Sequence, residues 1–323
     1  MAKPKVAISW NSSCGGCDEA IVDIEEKVLD VAAAVEFVLW PCAMDFKYAG
    51  IESMKDGEIA VSLINGGIQN THQERVVKLL RKKSALVVAF GSCACLGGVP
   101  SLANLTSMKD IFAVSYATAP TVVNPEGTVP LPESSADGHA LTLPRMFDSL
   151  LKLDDVIGVD YYLPGCPPTA AQIGGALEAI LKGELPAKGS VLVPNKSLCT
   201  SCSRNDTKPD TVSMARVRRI HEVEADPALC FLAQEILCMG PATRDGCEYP
   251  CVKGNMPCTG CTGPVAGADQ GAKMIGVLGG ILGGSDDAGA DEALEGIVDP
   301  AGTFYRYCTS ASLLGRRRPK DTV

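Results

Sequence analysis

Cysteine is the residue type in this chain that is most able to do chemistry. The 323 residues include 15 cysteines, and 12 of these fall into three sets of four. In chain order the sets are Cys14, Cys17, Cys93 and Cys166; then Cys199, Cys202, Cys230 and Cys238; then Cys247, Cys251, Cys258 and Cys261. Four soft thiolates brought together select zinc or an iron-sulfur cluster. The spacing therefore predicts three metal centres.

Composition and charge narrow the class of protein. The net charge of -9 argues against a nucleic-acid partner, because phosphate backbones bind basic surfaces. Residues 1–10 contain no apolar export segment and no twin arginine, so we expect a cytoplasmic protein with reduced thiols. We expect no membrane span, since the most apolar stretch, 274–282, is short, contains glycine and is typical of a buried helix. The basic residues 316–318 are interpreted as a solvated tail.

The first part of the chain predicts an α/β fold. Apolar runs rich in Val and Ile, as expected for parallel strands buried on both faces, alternate with amphipathic stretches. The runs cover residues 6–10, 35–40, 59–64, 85–90 and 156–163, and the helical stretches cover 18–30, 72–82 and 169–182. Residues 100–144, rich in Pro, Ser and Gly, predict a long insertion. We therefore expect a flavodoxin-like parallel sheet domain at residues 1–186.

Beyond residue 186 the pattern changes to short segments with frequent Gly and Pro. Eight cysteines lie between Cys199 and Cys261, and little regular apolar pattern surrounds them. We expect an irregular, cysteine-rich domain at residues 187–323 whose metal sites supply much of its folding energy. Two short helices are expected there, one at 211–223 and one that begins after Asp226 with Pro227 at its first position.

The first set of cysteines follows three predicted strands. Cys14 and Cys17 follow the first strand, Cys93 follows the fourth, and Cys166 follows the last. Because the carboxyl ends of parallel strands lie along one edge of a sheet, these four thiols are expected to converge there. A Cys-x-x-Cys pair alone also fits a thioredoxin-like redox motif, but Cys93 and Cys166 would then be unexplained.

Three cysteines stand outside the sets. Cys42, Cys95 and Cys308 are interpreted as non-ligands, although Cys95 lies only two residues after Cys93 and is the alternative choice at that position.

For the second and third sets, spacing alone does not separate zinc from iron. The first set favours iron, because a cluster buried at a sheet edge needs further centres to move electrons outward. The alternative of another class is a zinc-stabilised interaction protein without a redox role.

The loops of the first set, taken in chain order, resemble three motifs of the small subunit of nickel-iron hydrogenases. In that family, Cys-x-x-Cys-x-Glu, Gly-Thr/Ser-Cys-Ala followed by Gly-Gly, and Pro-Gly-Cys-Pro-Pro hold the cluster nearest the nickel. The corresponding residues here are 14–19, 91–98 and 164–168, and the similarity continues through 195–202, 238–243, 258–261 and 269–274. The last segments are most similar to the cytoplasmic methyl-viologen-reducing type, which works beside heterodisulfide reductase.

This resemblance implies three 4Fe-4S clusters. It assigns the proximal cluster to the first set, Cys14, Cys17, Cys93 and Cys166. It assigns the distal cluster to the second set, from Cys199 to Cys238, and the medial cluster to the third set, from Cys247 to Cys261. Periplasmic relatives use one histidine on the distal cluster and three cysteines on a medial three-iron cluster. Here Cys199 occupies the histidine position and Cys251 adds a fourth medial thiolate.

The resemblance also implies partners. No pair of Cys-x-x-Cys motifs lies near the two chain ends, as it does in the nickel-binding large subunit, so dihydrogen would be split on a partner chain docked near Cys14, Cys17 and Glu19. Electrons would pass to an iron-sulfur delta subunit that links to heterodisulfide reductase, in a larger hetero-oligomer. Glu19 is interpreted as an interface or cluster-loop residue. His72, His139 and His221 are expected at the surface.

Two other electron-transfer assignments remain open at this point. The first is the small subunit of a sulfhydrogenase or a nicotinamide-coupled hydrogenase, whose first domain is similar. The second is a quinone-reducing module like that of respiratory Complex I. The cluster subunit of that module resembles the first domain here but ends without two further clusters, so the eight downstream cysteines argue against it.

Overall fold

The computed structural model describes residues 3–283, 291 and 293–315. In this part of the chain the strands are β1 (Lys5–Trp10), β2 (Glu36–Leu39), β3 (Ile59–Asn65), β4 (Ile68–Asn70), β5 (Ser84–Phe90), β6 (Glu133–Ala136), β7 (His139–Thr142), β8 (Met146–Leu151) and β9 (Tyr161–Leu163). The helices are α1 (Gly16–Val22), α2 (Lys27–Ala34), α3 (Tyr48–Ser53), α4 (Thr71–Lys83), α5 (Ser92–Leu96), α6 (Met108–Ala113), α7 (Ala170–Lys182), α8 (Pro250–Lys253), α9 (Gln270–Ile281) and α10 (Pro300–Phe304).

A parallel sheet lies at the centre of the described chain, with strand order β2-β1-β3-β5-β9. Numbered within the sheet this is the order 2-1-3-4-5 of flavodoxin-like folds, so the predicted fold class is confirmed. Apolar side chains cover both faces, with Ile8, Val61 and Leu63 in one cluster and Ile59, Ile64 and Val87 in the other. Burial on both faces explains why the strands have continuous apolar sequences.

The register of this sheet brings four strand ends to one level. Trp10 pairs with Asn65, Asn65 pairs with Phe90, and Phe90 pairs with Leu163. Each of these residues is the last of its strand. The loops after β1, β5 and β9 therefore leave the sheet side by side, as the sequence predicts.

Most predicted elements of the first part are present. The helices predicted at 72–82 and 169–182 correspond to α4 and α7, and Thr169 caps α7 by accepting a hydrogen bond from the Gln172 N–H. The insertion at 100–144 contains α6 and the antiparallel pair β6–β7, and β8 then pairs with β4.

Two predicted elements of the first part are shorter or divided. The helix predicted at 18–30 is interrupted between α1 and α2, where Glu25 adopts a left-handed conformation with φ of 61°, which an α-helix does not accommodate. The strand predicted at 156–163 is ordered as a strand only from Tyr161 onward. Before it, the Asp160 N–H donates to the Val87 carbonyl at 2.9 Å, and the Asp160 carboxylate accepts from the Val87 N–H. Asp160 therefore pairs with β5 through one backbone bond and one side-chain bond.

The predictions of a helix at 211–223 and of a second helix after Asp226 are wrong. Residues 211–223 form only a short 3-10 turn, Ile220–Glu222, because backbone donors such as Val217 and Arg218 bond to the distant carbonyls of Ala293 and Glu235. Pro227 lies in a turn in which the Asp226 carboxylate accepts from the Ala228 N–H at 2.8 Å. Long-range pairing thus replaces local helical bonds at 211–223, whereas a local side-chain turn replaces them after Asp226.

The region after residue 186 packs around α9, as expected for the buried stretch 274–282. Met274 and Leu278 of this helix contact Leu198, Met239 and Phe304 in a third apolar cluster. Within the described residues, no helix is both long and apolar enough to cross a membrane. The basic residues 316–318 lie outside the described part of the chain.

One charged cluster fixes the short strand β9 beside β5. Asp160 accepts hydrogen bonds from Arg81 Nη1 at 2.6 Å and Lys188 Nζ at 2.7 Å, besides the Val87 N–H. Burial disfavours the charged carboxylate, but these three donors outweigh burial and lower the pKa of Asp160.

We predict that Asp160→Asn lowers the free energy of unfolding by about 1–3 kcal/mol at neutral pH, because it leaves Arg81 without its carboxylate. Because the folded-state pKa is depressed, the wild-type advantage should be complete above the unfolded pKa of about 4 and be lost as the pH falls through the folded pKa. Denaturant unfolding of both proteins at pH 7 and pH 3 measures this difference. An equal difference at both values would contradict the assignment.

Candidate metal centres

The first set of thiols lies at the carboxyl edge of the sheet. Cys14 and Cys17 flank the start of α1, Cys93 lies in α5 directly after β5, and Cys166 follows β9. Cys17 and Cys93 are buried, whereas Cys14 and Cys166 are exposed. Burial raises the pKa of the Cys17 thiol, and the thiols of Cys93, Cys166 and Cys14 raise it further. The structure therefore places the four predicted cysteines at one edge of the sheet, with the other three within electrostatic reach of Cys17.

Glycine is required where backbone approaches these thiols. A Cβ atom built on Gly91 would overlap the Sγ of Cys17, and one built on Gly98 would overlap the Sγ of Cys93. Both glycines have positive φ, 82° and 62°, a conformation that residues with a side chain rarely adopt. The motif glycines thus leave room for the thiols and for backbone close to them.

The structure separates Cys93 from Cys95. The Cys95 thiol donates a hydrogen bond to the Ala89 carbonyl at 3.2 Å and packs in the apolar cluster on one face of the sheet. Burial raises the pKa of Cys93 to about 12, and the Cys166 and Cys14 thiols contribute to that rise. The Cys95 thiol is therefore held in the core of the sheet domain, whereas Cys93 lies within electrostatic reach of Cys166 and Cys14.

The remaining two cysteines lie apart from the three sets. Cys42 is exposed beside Asp18, and Cys308 is buried in the apolar cluster around α9. Glu19 is exposed next to Cys17, and the surface positions expected for His72, His139 and His221 are confirmed.

The second set surrounds a cavity. All four thiols, Cys199, Cys202, Cys230 and Cys238, line a space of about 280 Å³. Each thiol lies at or near the end of a short 3-10 turn rather than on a long element. A Cβ atom on Gly240 would lie only 3.2 Å from the Cys199 Sγ and 3.6 Å from the Cys238 Sγ. Burial raises the pKa of Cys238 to about 12.

The third set also surrounds a cavity, of about 250 Å³, which is lined by Cys247, Cys251, Cys258 and Cys261 and additionally by Cys166 of the first set. The turn between the first two of these cysteines contains two consecutive left-handed residues that are not glycine, Glu248 at φ 58° and Tyr249 at φ 45°. Such a turn costs conformational energy that the surrounding contacts must offset.

Ser92 joins the first and third sets. Its buried hydroxyl donates to the backbone carbonyl of Cys261 and accepts from the Gly165 N–H at 3.0 Å. Burial raises the pKa of Cys261 to about 12, and the backbone N–H of Cys166 opposes part of that rise. Two loops from the sheet edge and one loop from the irregular region are thus held at one point.

The donor sets fit a polynuclear metal cofactor. Buried thiols that raise one another's pKa exist as thiolates only when a cationic group compensates their charge. In the part of the chain that the structure describes, no three Cys, His, Asp or Glu side chains converge on a position for a single metal ion. In the second and third sets the thiols line spaces of about 280 and 250 Å³, and four thiolates around such a space suit an iron-sulfur cluster.

Comparison with known proteins agrees with the fold. The family described as NADH ubiquinone oxidoreductase, 20 Kd subunit, matches residues 14–180. A recombinant [NiFeSe] hydrogenase of Desulfovibrio vulgaris Hildenborough has a similar fold with a TM-score of 0.52, covering 83% of this chain and 95% of that chain at 16% identity. The chain thus shares its fold with that hydrogenase chain.

Relatives that match the whole chain specify the type. The iron-sulfur subunit of the F420-non-reducing hydrogenase of Archaeoglobus profundus is 37% identical, covering 97% of this chain and 98% of that protein. The corresponding subunit of the F420-non-reducing hydrogenase of Methanothermobacter marburgensis is 34% identical, covering 99% and 98%. The chain therefore belongs to the family of nickel-iron hydrogenase small subunits of the F420-non-reducing type. Small subunits of this family bind iron-sulfur clusters and pair with a nickel-iron large subunit.

We predict that Gly91→Ala removes the cluster of the first set, because the added methyl group would displace the Cys17 Sγ from a backbone that already has positive φ. The iron content of the anaerobically purified chain should fall by about a third if each set holds four irons. Gly174→Ala is the matched control, since nothing lies within 4 Å of its Cβ position in α7. Equal iron contents in the two variants would contradict this account of Gly91.

Proposed function

We propose that this chain relays electrons from dihydrogen oxidation at a partner large subunit, through three 4Fe-4S clusters, to a downstream subunit of a heterodisulfide reductase complex. The proximal cluster would be held by the first set and the medial cluster by the third set. The distal cluster would be held by the second set, Cys199, Cys202, Cys230 and Cys238. In this assignment residues 1–186 hold the proximal cluster and residues 187–323 hold the other two, and this division stays a prediction.

The order of the thiol sets in space is the observation that supports a relay. Cys166 of the first set lines the cavity of the third set, and its thiol raises the pKa of Cys261 there after burial and the thiols of Cys247 and Cys251. Burial and then the Cys238 thiol of the second set raise the pKa of Cys258, another member of the third set. Thiols of the third set are thus within electrostatic reach of both other sets, which supports its assignment as the medial centre.

The chain's own residues prepare these sites for clusters of low potential. Four thiolates around a complete four-iron cluster supply more negative charge than three, and ligand charge and cluster type set the reduction potential. Cys251 provides the fourth thiolate of the medial set, and it lies in α8 beside the cavity. The bound clusters would supply one-electron chemistry, while the protein fixes their spacing and excludes water from the buried thiols.

The two ends of the proposed relay differ in exposure. Cys14, Cys166 and Glu19 are exposed at the sheet edge, where we propose that the large subunit docks. The similarity of residues 269–274 to the methyl-viologen-reducing type supports an iron-sulfur delta subunit as the acceptor, beside the loops of Cys199 and Cys202. A cytoplasmic location and a larger hetero-oligomer stay predictions.

The alternative hydrogenase assignments match less of the chain. The sulfhydrogenase 2 subunit delta of Pyrococcus furiosus is 22% identical and covers 80% of this chain, and the NAD-reducing hydrogenase HoxS subunit delta of Cupriavidus necator is 26% identical and covers 56%. The F420-non-reducing relatives cover nearly all of it. For a Complex I-like module, the eight thiols of the second and third sets would have no role.

The relay is tested in the complete hydrogenase complex with Cys202→Ala. The large subunit should still catalyse isotope exchange between dihydrogen and deuterated water. Electron transfer from dihydrogen to the downstream acceptor should fall by at least about tenfold. Cys42→Ala, which changes an exposed thiol outside the three sets, is the control. Unchanged electron transfer in Cys202→Ala would exclude the distal set from the relay, as expected for a structural zinc site.

We predict that Cys251→Ala converts the medial centre to a three-iron cluster. The oxidised variant should show a strong three-iron signal in electron paramagnetic resonance and lose about one iron per chain, because a three-iron cluster needs only three thiolates. The oxidised wild-type complex should lack that signal. A strong three-iron signal in the wild type would show that Cys251 is not a ligand.

A further inference from the structure

Arg204 is a buried cation beside the second set of thiols. It lies two residues after Cys202, is only 5% exposed, and lines the same cavity as the four thiols of that set. Arginine is almost never fully buried without a partner of opposite charge, so its surroundings identify what holds it there.

Every hydrogen-bond acceptor of the Arg204 guanidinium is electrically neutral. Its Nη1 donates to the carbonyls of Asp226 and Leu229 at 3.2 and 3.3 Å. Its Nη2 donates to the Val252 carbonyl at 3.1 Å and to Asn255 Oδ1 at 2.9 Å. The guanidinium carbon also lies 4.2 Å from the centre of the Phe231 ring. None of the ion pairs found among the described residues involves Arg204.

The cavities of the second and third sets therefore differ in charge. The second set has Arg204 and Lys208 in its lining against one carboxylate, Asp210. Among the described residues, the lining of the third set contains Asp23 as its one carboxylate and contains no lysine or arginine. A group that gains negative charge is therefore more stable in the cavity of the second set than in that of the third. The effect is strongest near a buried cation, where screening by water is weak.

We propose that Arg204 raises the reduction potential of the distal cluster above that of the medial cluster, so that electrons are drawn toward the downstream end of the chain. This inference rests on the proposed function, which assigns the second set to the distal cluster. One electron leaves the medial cluster and enters the distal cluster, with no proton transferred and no bond made or broken. The guanidinium stabilises the added negative charge, since net charge around a cluster sets its potential.

Arg204 also links its own loop to residues 226–229 and 252–255 through these acceptors. The experiment must therefore distinguish the effect of its charge from the effect of its hydrogen bonds on the local structure. Arg204→Gln removes the charge, whereas Arg204→Lys keeps the charge and loses the planar fork of donors. Arg244 provides a matched control, because it is also 5% exposed, donates to the Pro264 and Pro194 carbonyls at 3.1 and 3.3 Å, and lines neither cavity.

The experiment is a potentiometric titration of the purified hydrogenase complex, followed by electron paramagnetic resonance. The distal signal is identified as the one lost in Cys202→Ala. At the wild-type midpoint potential, Arg204→Gln should lower the reduced-to-oxidised ratio of the distal cluster at least tenfold, which is about 59 mV for a one-electron couple. Arg204→Lys and Arg244→Gln should each change that ratio by less than about threefold.

If Arg204→Gln fails to assemble the distal cluster, Lys208→Gln tests whether positive charge in this cavity raises the reduction potential of that cluster. Lys208 is exposed and lines the same cavity, so this variant should fold and lower the ratio about twofold to threefold at low ionic strength, with the difference removed by salt. In that case an unchanged ratio would overturn the inference.

The outcomes separate the inference from the proposed function. A distal cluster whose midpoint is unchanged in Arg204→Gln, or shifted equally in Arg204→Gln and Arg204→Lys, would overturn the role of the charge while leaving the relay intact. A wild-type complex in which the second set holds no redox-active cluster would overturn both.

Discussion

The cost of burying negatively charged thiolates close to one another is the constraint on which this structure depends. Each set gathers four cysteines within reach of one another, and burial raises the pKa of members such as Cys17, Cys238 and Cys261. Without a compensating cation such thiols stay protonated and gain little from proximity. The irregular region beyond residue 186 is built largely of short turns around two of these sets, so its folding and its metal loading are expected to be one process.

The parallel sheet determines where the cysteines of the first set lie. Four strand ends lie at one level, so three loops distant in sequence reach the same place without any long connection of their own. Ser92 then ties this edge to the Cys261 loop of the irregular region. Thiols of the third set lie within electrostatic reach of Cys166 of the first set and Cys238 of the second, which is the arrangement that the proposed relay requires.

The sequence allowed prediction of what depends on local pattern. Strand identity, the helices α4 and α7, and the convergence of the first four thiols follow from apolar periodicity and from the known geometry of parallel sheets. Cys93 and Cys95 were not separable by spacing, because residues two apart in a helix point about 200° from each other and only the surrounding structure decides which faces the site. The helix expected at 211–223 is absent because distant carbonyls, such as that of Ala293, take the backbone donors. The helix expected after Asp226 is absent because the Asp226 carboxylate closes a turn by accepting from the Ala228 N–H. Arg204 and Ser92 likewise act through partners far away in sequence, which no local pattern indicates.

The central claim is that all twelve set cysteines hold three four-iron clusters, and Mössbauer spectroscopy of the ⁵⁷Fe-enriched complex, combined with zinc analysis, tests it most directly. The account predicts that the iron assigned to this subunit, about twelve atoms, is entirely in four-iron clusters, with no three-iron component and no stoichiometric zinc. About four iron atoms in this subunit, accompanied by about two zinc ions, would contradict it, because the second and third sets would then be structural zinc sites.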